Sequence, residues 1–256
     1  MTFFLPDDNS NRPRRIKEAF SNIEDVIEGY QGKVHSHCQS VSMLVDRENI
    51  WGDGLSFYKT ALVDLDKLKN PIRVKFANEM GVDAGALTVE FFTKFFEFAK
   101  KELFESVDNK EWQHVPKRSG GNNHVYKILG VAIGHSLRNN GPFFDCLAPW
   151  AVDVMCNSDG TSGNINVNDI PITSSTGCTI NFIKSLSECN TNSDISHLFQ
   201  SADGPAFEQI VGLSDWDQNE DITCDNKSIL IDMLIYEEII VRRGKKIKSI
   251  REGHGI

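Results

Sequence analysis

The residues of this chain that could do chemistry are its cysteines, histidines and carboxylates, and few of them are grouped. The six cysteines form no Cys-x-x-Cys pair: Cys38, Cys146, Cys156, Cys178, Cys189 and Cys224. His35, His37 and Cys38 are the tightest group, but ligands this close in sequence do not readily close a tetrahedral metal site, and no matching second pair follows. We therefore predict a solvated turn there, with no metal and no cofactor.

A second polar group surrounds a turn near residue 80. Glu79 and Asp83 are close enough in sequence to act as a pair of carboxylates. Asp83 also stands just before a helical pattern, where an aspartate side chain accepts hydrogen bonds from the unpaired N–H groups of the first turn. We favour this structural role for Asp83, and we expect Gly85 to shape the turn.

The elements that must position these residues follow from hydrophobic periodicity. Alternation predicts strands and helical spacing predicts helices, in the order strand 41–45, strand 71–76, helix 88–104 and helix 126–137. The polar stretch 106–122 is predicted to be a loop. The sequence GVAIG at 130–134 lies inside a helix, so its small residues indicate close packing against another helix and not a phosphate-binding loop.

The domain organisation follows from shifts in composition. Residues 1–13 are predicted to be a disordered tail, 14–40 a leading helix and connector, and 41–256 the main domain. Within the main domain, 150–213 is polar with short apolar islands and is a candidate small subdomain. Asn226–Glu252 then has a long helical pattern. We predict an α+β fold that is predominantly helical, with a large helical subdomain, a smaller inserted one and a few short strands.

Composition limits the classes of function. The chain has 256 residues and a net charge of −9, which argues against a general nucleic-acid binder because such proteins need a basic face. No segment is long and apolar enough for a membrane helix, and the N-terminus has no secretory signal pattern. With unpaired cysteines, this predicts a cytoplasmic or nuclear protein with neither nucleic-acid nor membrane partners.

Several separated motifs occur in a recognisable order. They are Val45, Arg47, Ile50 and Asp53; Glu79, Val82, Asp83, Gly85, Glu90, Phe91 and Phe92; Tyr126, Leu129 and Gly130; Asp221–Thr223, Asn226–Lys227 and Ile250–Gly253. This ordered set resembles the N-terminal lobe of HECT-type ubiquitin ligases, with most similarity to the G2/M-phase-specific ubiquitin ligase subgroup. Ala86 replaces the family's second turn glycine and Val89 its arginine, which indicates a divergent copy.

The resemblance implies a function in ubiquitin transfer. HECT ligases carry ubiquitin on a cysteine of a separate C-terminal lobe, beyond the segment matched to Ile250–Gly253, and we expect this chain to lack that lobe. Cys178, in STGCTINF, lies too early to be that nucleophile, so no catalytic residue is assigned. The expected partners are a ubiquitin-conjugating enzyme and, further, ubiquitin and protein substrates.

The resemblance also implies that the small subdomain docks the conjugating enzyme. Leu198, Phe199 and Phe207 are apolar residues in a polar segment, as a contact surface requires, and are our docking candidates. A minor core for the subdomain explains the same residues equally well. The chain as a whole is thus interpreted as the N-lobe part of a ligase or, alternatively, as a non-catalytic protein-binding scaffold derived from such a lobe. A third interpretation is an unrelated α/β-type binding protein.

Overall fold

The chain folds into two compact units. The structure, a computed structural model, describes residues 4–7, 10–15, 40–64, 68–80, 85–107, 110–157 and 165–254. The first unit comprises Met1–Phe104, Ser119–Cys146 and Lys246–Ile256, and the second comprises Glu105–Arg118 and Leu147–Lys245. Helices predominate and the strands are short, which confirms the predicted predominantly helical α+β class.

The N-terminal segment forms a hairpin. Strands β1 (Phe4–Asp7) and β2 (Ser10–Arg15) pair antiparallel, with an irregular register between Leu5 and Asp7. A disordered tail was predicted over residues 1–13, because the segment is polar. A hairpin needs no apolar residues to pair its backbone N–H and C=O groups, so polarity was a poor guide here. The leading helix predicted within 14–40 falls mostly on residues outside those described.

The first unit is built on a parallel strand pair. Strand β3 (Val41–Val45) pairs with β4 (Ile72–Phe76) in a continuous register, and helix α1 (Ile50–Ala61) lies between them in sequence. In both strands the third and fifth residues are buried, and the residue between them is exposed. The alternation that predicted these strands therefore corresponds to one face turned into the core.

Helix α2 (Ala86–Leu103) provides much of the first unit's core. It is amphipathic, and its buried residues recur at helical spacing: Thr88, Phe91, Phe92, Phe95, Phe96, Ala99 and Leu103. It packs on α1 and β4. Phe91 and Phe95 stack with their ring centroids 5.6 Å apart. The predicted helix over 88–104 is confirmed, and its phenylalanine stripe is core.

Helix α3 (Asn123–Arg138) packs closely against helix α9 (Arg242–His254). A Cβ atom at Gly130 would collide with the carbonyl of Ile250, and one at Gly253 would collide with the carbonyl of Lys127. The two backbones therefore touch without a side chain between them. This is the close packing that the small residues at 130–134 predicted.

The second unit is a helical assembly with a short sheet. Strands β5 (Phe104–Val107) and β6 (Lys110–Pro116) pair with each other, although 106–122 was predicted to be a loop. The polar residues of this segment are also typical of a loop, so periodicity did not distinguish a strand pair from a loop. Five α-helices follow in order: α4 (Pro149–Cys156), α5 (Gly177–Glu188), α6 (Asn192–Gln200), α7 (Gly204–Gly212) and α8 (Lys227–Tyr236).

The predicted small subdomain corresponds to part of the second unit. Its apolar islands form α5, α6 and α7, which pack on one another, and α5 also packs on α8. The long pattern over Asn226–Glu252 is helical, as predicted, but a π-helical turn (Glu237–Val241) interrupts it between α8 and α9. Among the described helices, none is both long and apolar enough to cross a membrane.

Candidate functional site

Three charged residues from separate parts of the first unit meet at one point. Arg47 lies in the short 3₁₀ turn after β3, Glu79 follows β4, and Glu90 is in α2. The Arg47 guanidinium donates to both carboxylates, with Nη2 3.1 Å from Glu79 Oε2 and Nη1 2.5 Å from Glu90 Oε1. We call these residues the Arg47 cluster.

The Arg47 cluster joins elements and does not form a reaction centre. The guanidinium of Arg47 also lies over the ring of Phe76, 3.9 Å from its centroid, so it covers the buried end of β4. Its hydrogen bonds lower the pKa of the Glu79 carboxyl, and the two carboxylates raise the pKa of Arg47. Both shifts favour the charged forms of Arg47 and Glu79, which suits a positioning role and not proton transfer by either group.

The turn before α2 depends on one glycine. Gly85 has a φ of +106°, in the left-handed region that L side chains rarely adopt, and it precedes the first residue of α2. The predicted role for Gly85 agrees with this geometry, whereas Asp83 lies outside the described residues. Ala86 has negative φ, so alanine is tolerated where the HECT pattern has a second glycine.

The three predicted docking residues lie in the second unit but differ in exposure. Phe207 is only 3% exposed and stacks on Phe182, with ring centroids 4.9 Å apart. Phe207 is therefore a core residue, which was the alternative to docking. Its burial leaves no surface for a partner. Phe199 is half-buried and contacts the edge of Phe182, and Leu198 is half-buried beside it.

A groove in the second unit was not predicted. It has a volume of about 280 Å³. Its lining includes residues of α7 and just after it, and residues at the start of α5. Leu234 of α8 also lines it, together with the charged side chains of Arg118, Glu237, Glu238 and Arg242.

The charged residues that line the groove are held by ion pairs, some of them buried. Glu238 is 3% exposed and Arg243 is fully buried, and Arg243 Nη1 lies 2.5 Å from Glu238 Oε1. Glu105 accepts from Arg243 Nη2 at 3.0 Å. Arg118 and Arg242 approach Glu238 from the groove, at 3.7 Å and 3.4 Å. Removing one member would leave another buried charge uncompensated, so these residues fix the π-helical turn in place.

The cysteines divide by exposure. Cys178 is exposed at the start of α5 and lines the groove, and Cys156 is exposed at the end of α4. Burial raises the pKa of Cys146 to about 12 and also raises the pKa of Cys189. These two thiols are therefore protonated at neutral pH and are inert core residues.

No protein-family model and no curated protein matches this chain.

The functional features of this chain are therefore those formed by the residues that the structure describes. Within them, no three His, Cys, Asp or Glu side chains gather in a way that could hold a metal ion. His35, His37 and Cys38 lie outside this part of the chain. The two remaining features are the Arg47 cluster, built from residues that the sequence had singled out, and the groove, which it had not.

Two sequence signals could have indicated the groove. Ala206, Gln209, Ile210 and Leu213 have i, i+3, i+4, i+7 spacing, which places them on one face of α7 and of its C-terminal cap residue, Leu213. Glu238 and Arg242 have the i, i+4 spacing of a helical ion pair. Both signals were weak because the α7 face mixes alanine and glutamine with larger apolar residues, and because charged pairs are common on solvated helices.

Proposed function

We propose that this chain is a protein-binding scaffold similar to the N-terminal lobe of HECT-type ubiquitin ligases, and that it recruits a ubiquitin-conjugating enzyme. The observation that supports the proposal is the Arg47 cluster. Arg47 belongs to one of the motifs that carried the resemblance, and Glu79 and Glu90 belong to the next. In the fold, the Arg47 side chain bonds to both glutamates. A chance match of motifs gives no reason for such residues to meet.

Recruitment is assigned to the second unit. Its half-buried residues Leu198 and Phe199 remain candidates for contact, whereas Phe207 is removed from the docking set because it is buried. The catalytic step of HECT ligases is not assigned to any described residue. As a scaffold, the chain would hold the conjugating enzyme in place while ubiquitin transfer occurs elsewhere.

Binding to a panel of purified ubiquitin-conjugating enzymes tests the proposal. We expect at least one member to bind the wild-type chain, and we expect Leu198→Ser and Phe199→Ala to weaken that binding about tenfold or more, because truncated interface anchors commonly cost this much. Ile229→Ser is the matched control, since Ile229 is an exposed residue of α8 in the same unit and lies outside the groove.

Phe199 also contacts Phe182, so its truncation affects packing as well as contact. Thermal unfolding of each variant separates the two effects, and Leu198→Ser provides an independent variant. If no enzyme of the panel binds, or if all variants bind as the wild type does, recruitment through this surface is wrong.

A further inference from the structure

Helix α7 of the second unit has two apolar faces. One is buried in the unit and includes Phe207 and Val211. The other lines the groove through Ala206, Gln209, Ile210 and Leu213. Leu213, at the end of this second face, is 71% exposed. Three of these four residues are apolar, and a largely apolar stripe at i, i+3, i+4 and i+7 beside a groove is the geometry that receives a helical or extended segment from another protein.

The rest of the uncharged lining completes a site with room for an apolar side chain. It includes Ser175 just before α5, Cys178 and Thr179 at its start, and Leu234 of α8. These side chains are neutral, so the part of the groove that they line carries no charge of its own. An apolar anchor could therefore enter there without leaving a buried charge unpaired.

Charge is distributed very unevenly along this chain. The second unit contains eight Lys and Arg against eighteen Asp and Glu, a net charge of −10, whereas the first contains nineteen against eighteen, a net charge of +1. The whole net charge of −9 is therefore a property of the second unit. An acidic protein, a nucleic acid or an anionic membrane would be repelled by it.

The acidic residues extend to the groove. Glu208 is an exposed residue of α7, and Asp215 follows Leu213 and Ser214 of the groove wall. Burial raises the pKa of Glu237, and the carboxylates of Asp215 and Glu238 raise it further. Asp215 and Glu238 are thus within electrostatic reach of Glu237 at the groove, where Arg118 and Arg242 are already engaged with Glu237 and Glu238.

We infer that this groove binds a basic segment of a partner protein, with an apolar side chain between α5 and α7 and lysine or arginine side chains facing Glu208, Asp215 and the other carboxylates of the second unit. The inference goes beyond the proposed function, because it does not require the partner to be a ubiquitin-conjugating enzyme. Apolar contact supplies the anchor, and the charge of the second unit selects basic partners and accelerates their association.

A thiol footprint tests the inference on the full chain. The probe is a synthetic amphipathic peptide of about 14 residues, roughly four helical turns, made of leucine, alanine and lysine. A matched peptide carries glutamate in place of lysine. We expect the lysine peptide to slow alkylation of Cys178 by iodoacetamide, because it covers the groove wall, while Cys156 reacts at an unchanged rate. Mass spectrometry measures both rates in one sample.

Leu213→Ser and Ile229→Ser provide the variant and its control. We expect Leu213→Ser to weaken protection of Cys178 about tenfold, since burial of a leucine side chain is worth this much in affinity. Ile229→Ser should protect as the wild type does. Equal slowing of Cys156, protection by the glutamate peptide, full protection in Leu213→Ser, or no protection at all would each overturn the inference.

The same variants distinguish this inference from the proposed function. Binding of the lysine peptide with no binding of any conjugating enzyme would remove the proposed function and retain the groove. Binding of a conjugating enzyme that Leu213→Ser leaves unchanged, with no protection of Cys178 by the peptide, would retain recruitment and remove the groove as its site.

Discussion

At the scale of single residues, His135 is the clearest case of burial setting a protonation state. Its ring is 2% exposed and lies between Tyr58 and the carbonyl of Asn70. The carbonyl can only accept, so Nε2 carries the proton and Nδ1 accepts from the Tyr58 hydroxyl at 3.1 Å. Burial is the main cause that lowers the pKa of His135 to about 4. The hydrogen bond to Asn70 opposes this shift, and the charge of Arg138 contributes to it.

This lowered pKa makes the first unit sensitive to acid. Between pH 6.5 and 4 the unfolded chain binds a proton at His135 that the folded chain does not, so the free energy of unfolding falls as the pH falls. From pH 7.5 to pH 5 we expect a loss of about 2 kcal/mol from this residue. Denaturant unfolding at the two pH values measures it, and His135→Gln should lack this part of the loss.

His254 provides an internal comparison for that measurement. Burial also lowers its pKa, so it contributes a loss of the same sign in both proteins. The difference between wild type and His135→Gln therefore isolates His135. An identical pH dependence in the two proteins would show that His135 titrates normally. Titration of its ring by NMR provides a second test, with an expected midpoint near pH 4.

At the scale of elements, strands and helices were predictable where an element buries one face and exposes the other. Strands β3 and β4 and helices α2 and α3 lie where alternation and helical spacing placed them, because each turns a regular set of residues into the core. Strands β5 and β6 were missed, since their backbone pairing leaves no comparable trace in side-chain type.

The functional features were less predictable than the elements. Arg47 and Glu90 are 43 positions apart and no period connects them, so only the fold brings them together. Phe207 was a docking candidate because its neighbours in sequence are polar, yet α7 turns it inward towards Phe182. A helix can bury one face in the core and line a groove with another. The apolar character of a residue does not reveal on which of the two faces it lies.

The crossing of α3 and α9 leads to a prediction at this scale. Gly130→Ala should destabilise the first unit by roughly 1–3 kcal/mol, because the added methyl group meets the backbone carbonyl of Ile250, which cannot move without shifting α9. Gly212→Ala is the matched control. Gly212 is also helical and has no neighbouring atom within 4 Å of an added Cβ.

We expect Gly212→Ala to be neutral or slightly stabilising, since alanine reduces the freedom of the unfolded chain. Thermal and denaturant unfolding of the two variants give the comparison. Similar stability changes in both would mean that α3 and α9 do not touch at Gly130.

At the scale of the whole molecule, charge separates the two units. The first is nearly neutral and the second carries the net negative charge. The sequence alone did not reveal this unequal distribution of charge, because the second unit consists of two separate segments, Glu105–Arg118 and Leu147–Lys245. Only the fold shows which carboxylates belong to the same body.

Neutralising exposed carboxylates in one unit at a time tests whether this division governs binding. The combined variant Glu208→Gln, Asp225→Asn and Asp232→Asn removes charge from the second unit, and Glu48→Gln, Glu102→Gln and Glu252→Gln remove the same charge from the first. We expect only the second-unit variant to weaken binding of the lysine peptide. We also expect the affinity of that variant to depend less on salt between 50 and 500 mM NaCl, where the Debye length falls from roughly 14 Å to roughly 4 Å.

Fluorescence anisotropy of the labelled peptide measures both quantities. Equal effects of the two variants would mean that the peptide responds to the total charge of the chain and not to the second unit.

The meeting of Gly130 with the carbonyl of Ile250 has a consequence for how this sequence can diverge. Position 130 can hold only glycine for as long as α9 crosses α3 there, whereas an alanine at position 212 meets no obstacle. A related chain with a side chain at position 130 must therefore have a displaced helix or a different crossing. The identity of that one residue separates descendants that keep this helix pair from those that have rebuilt it.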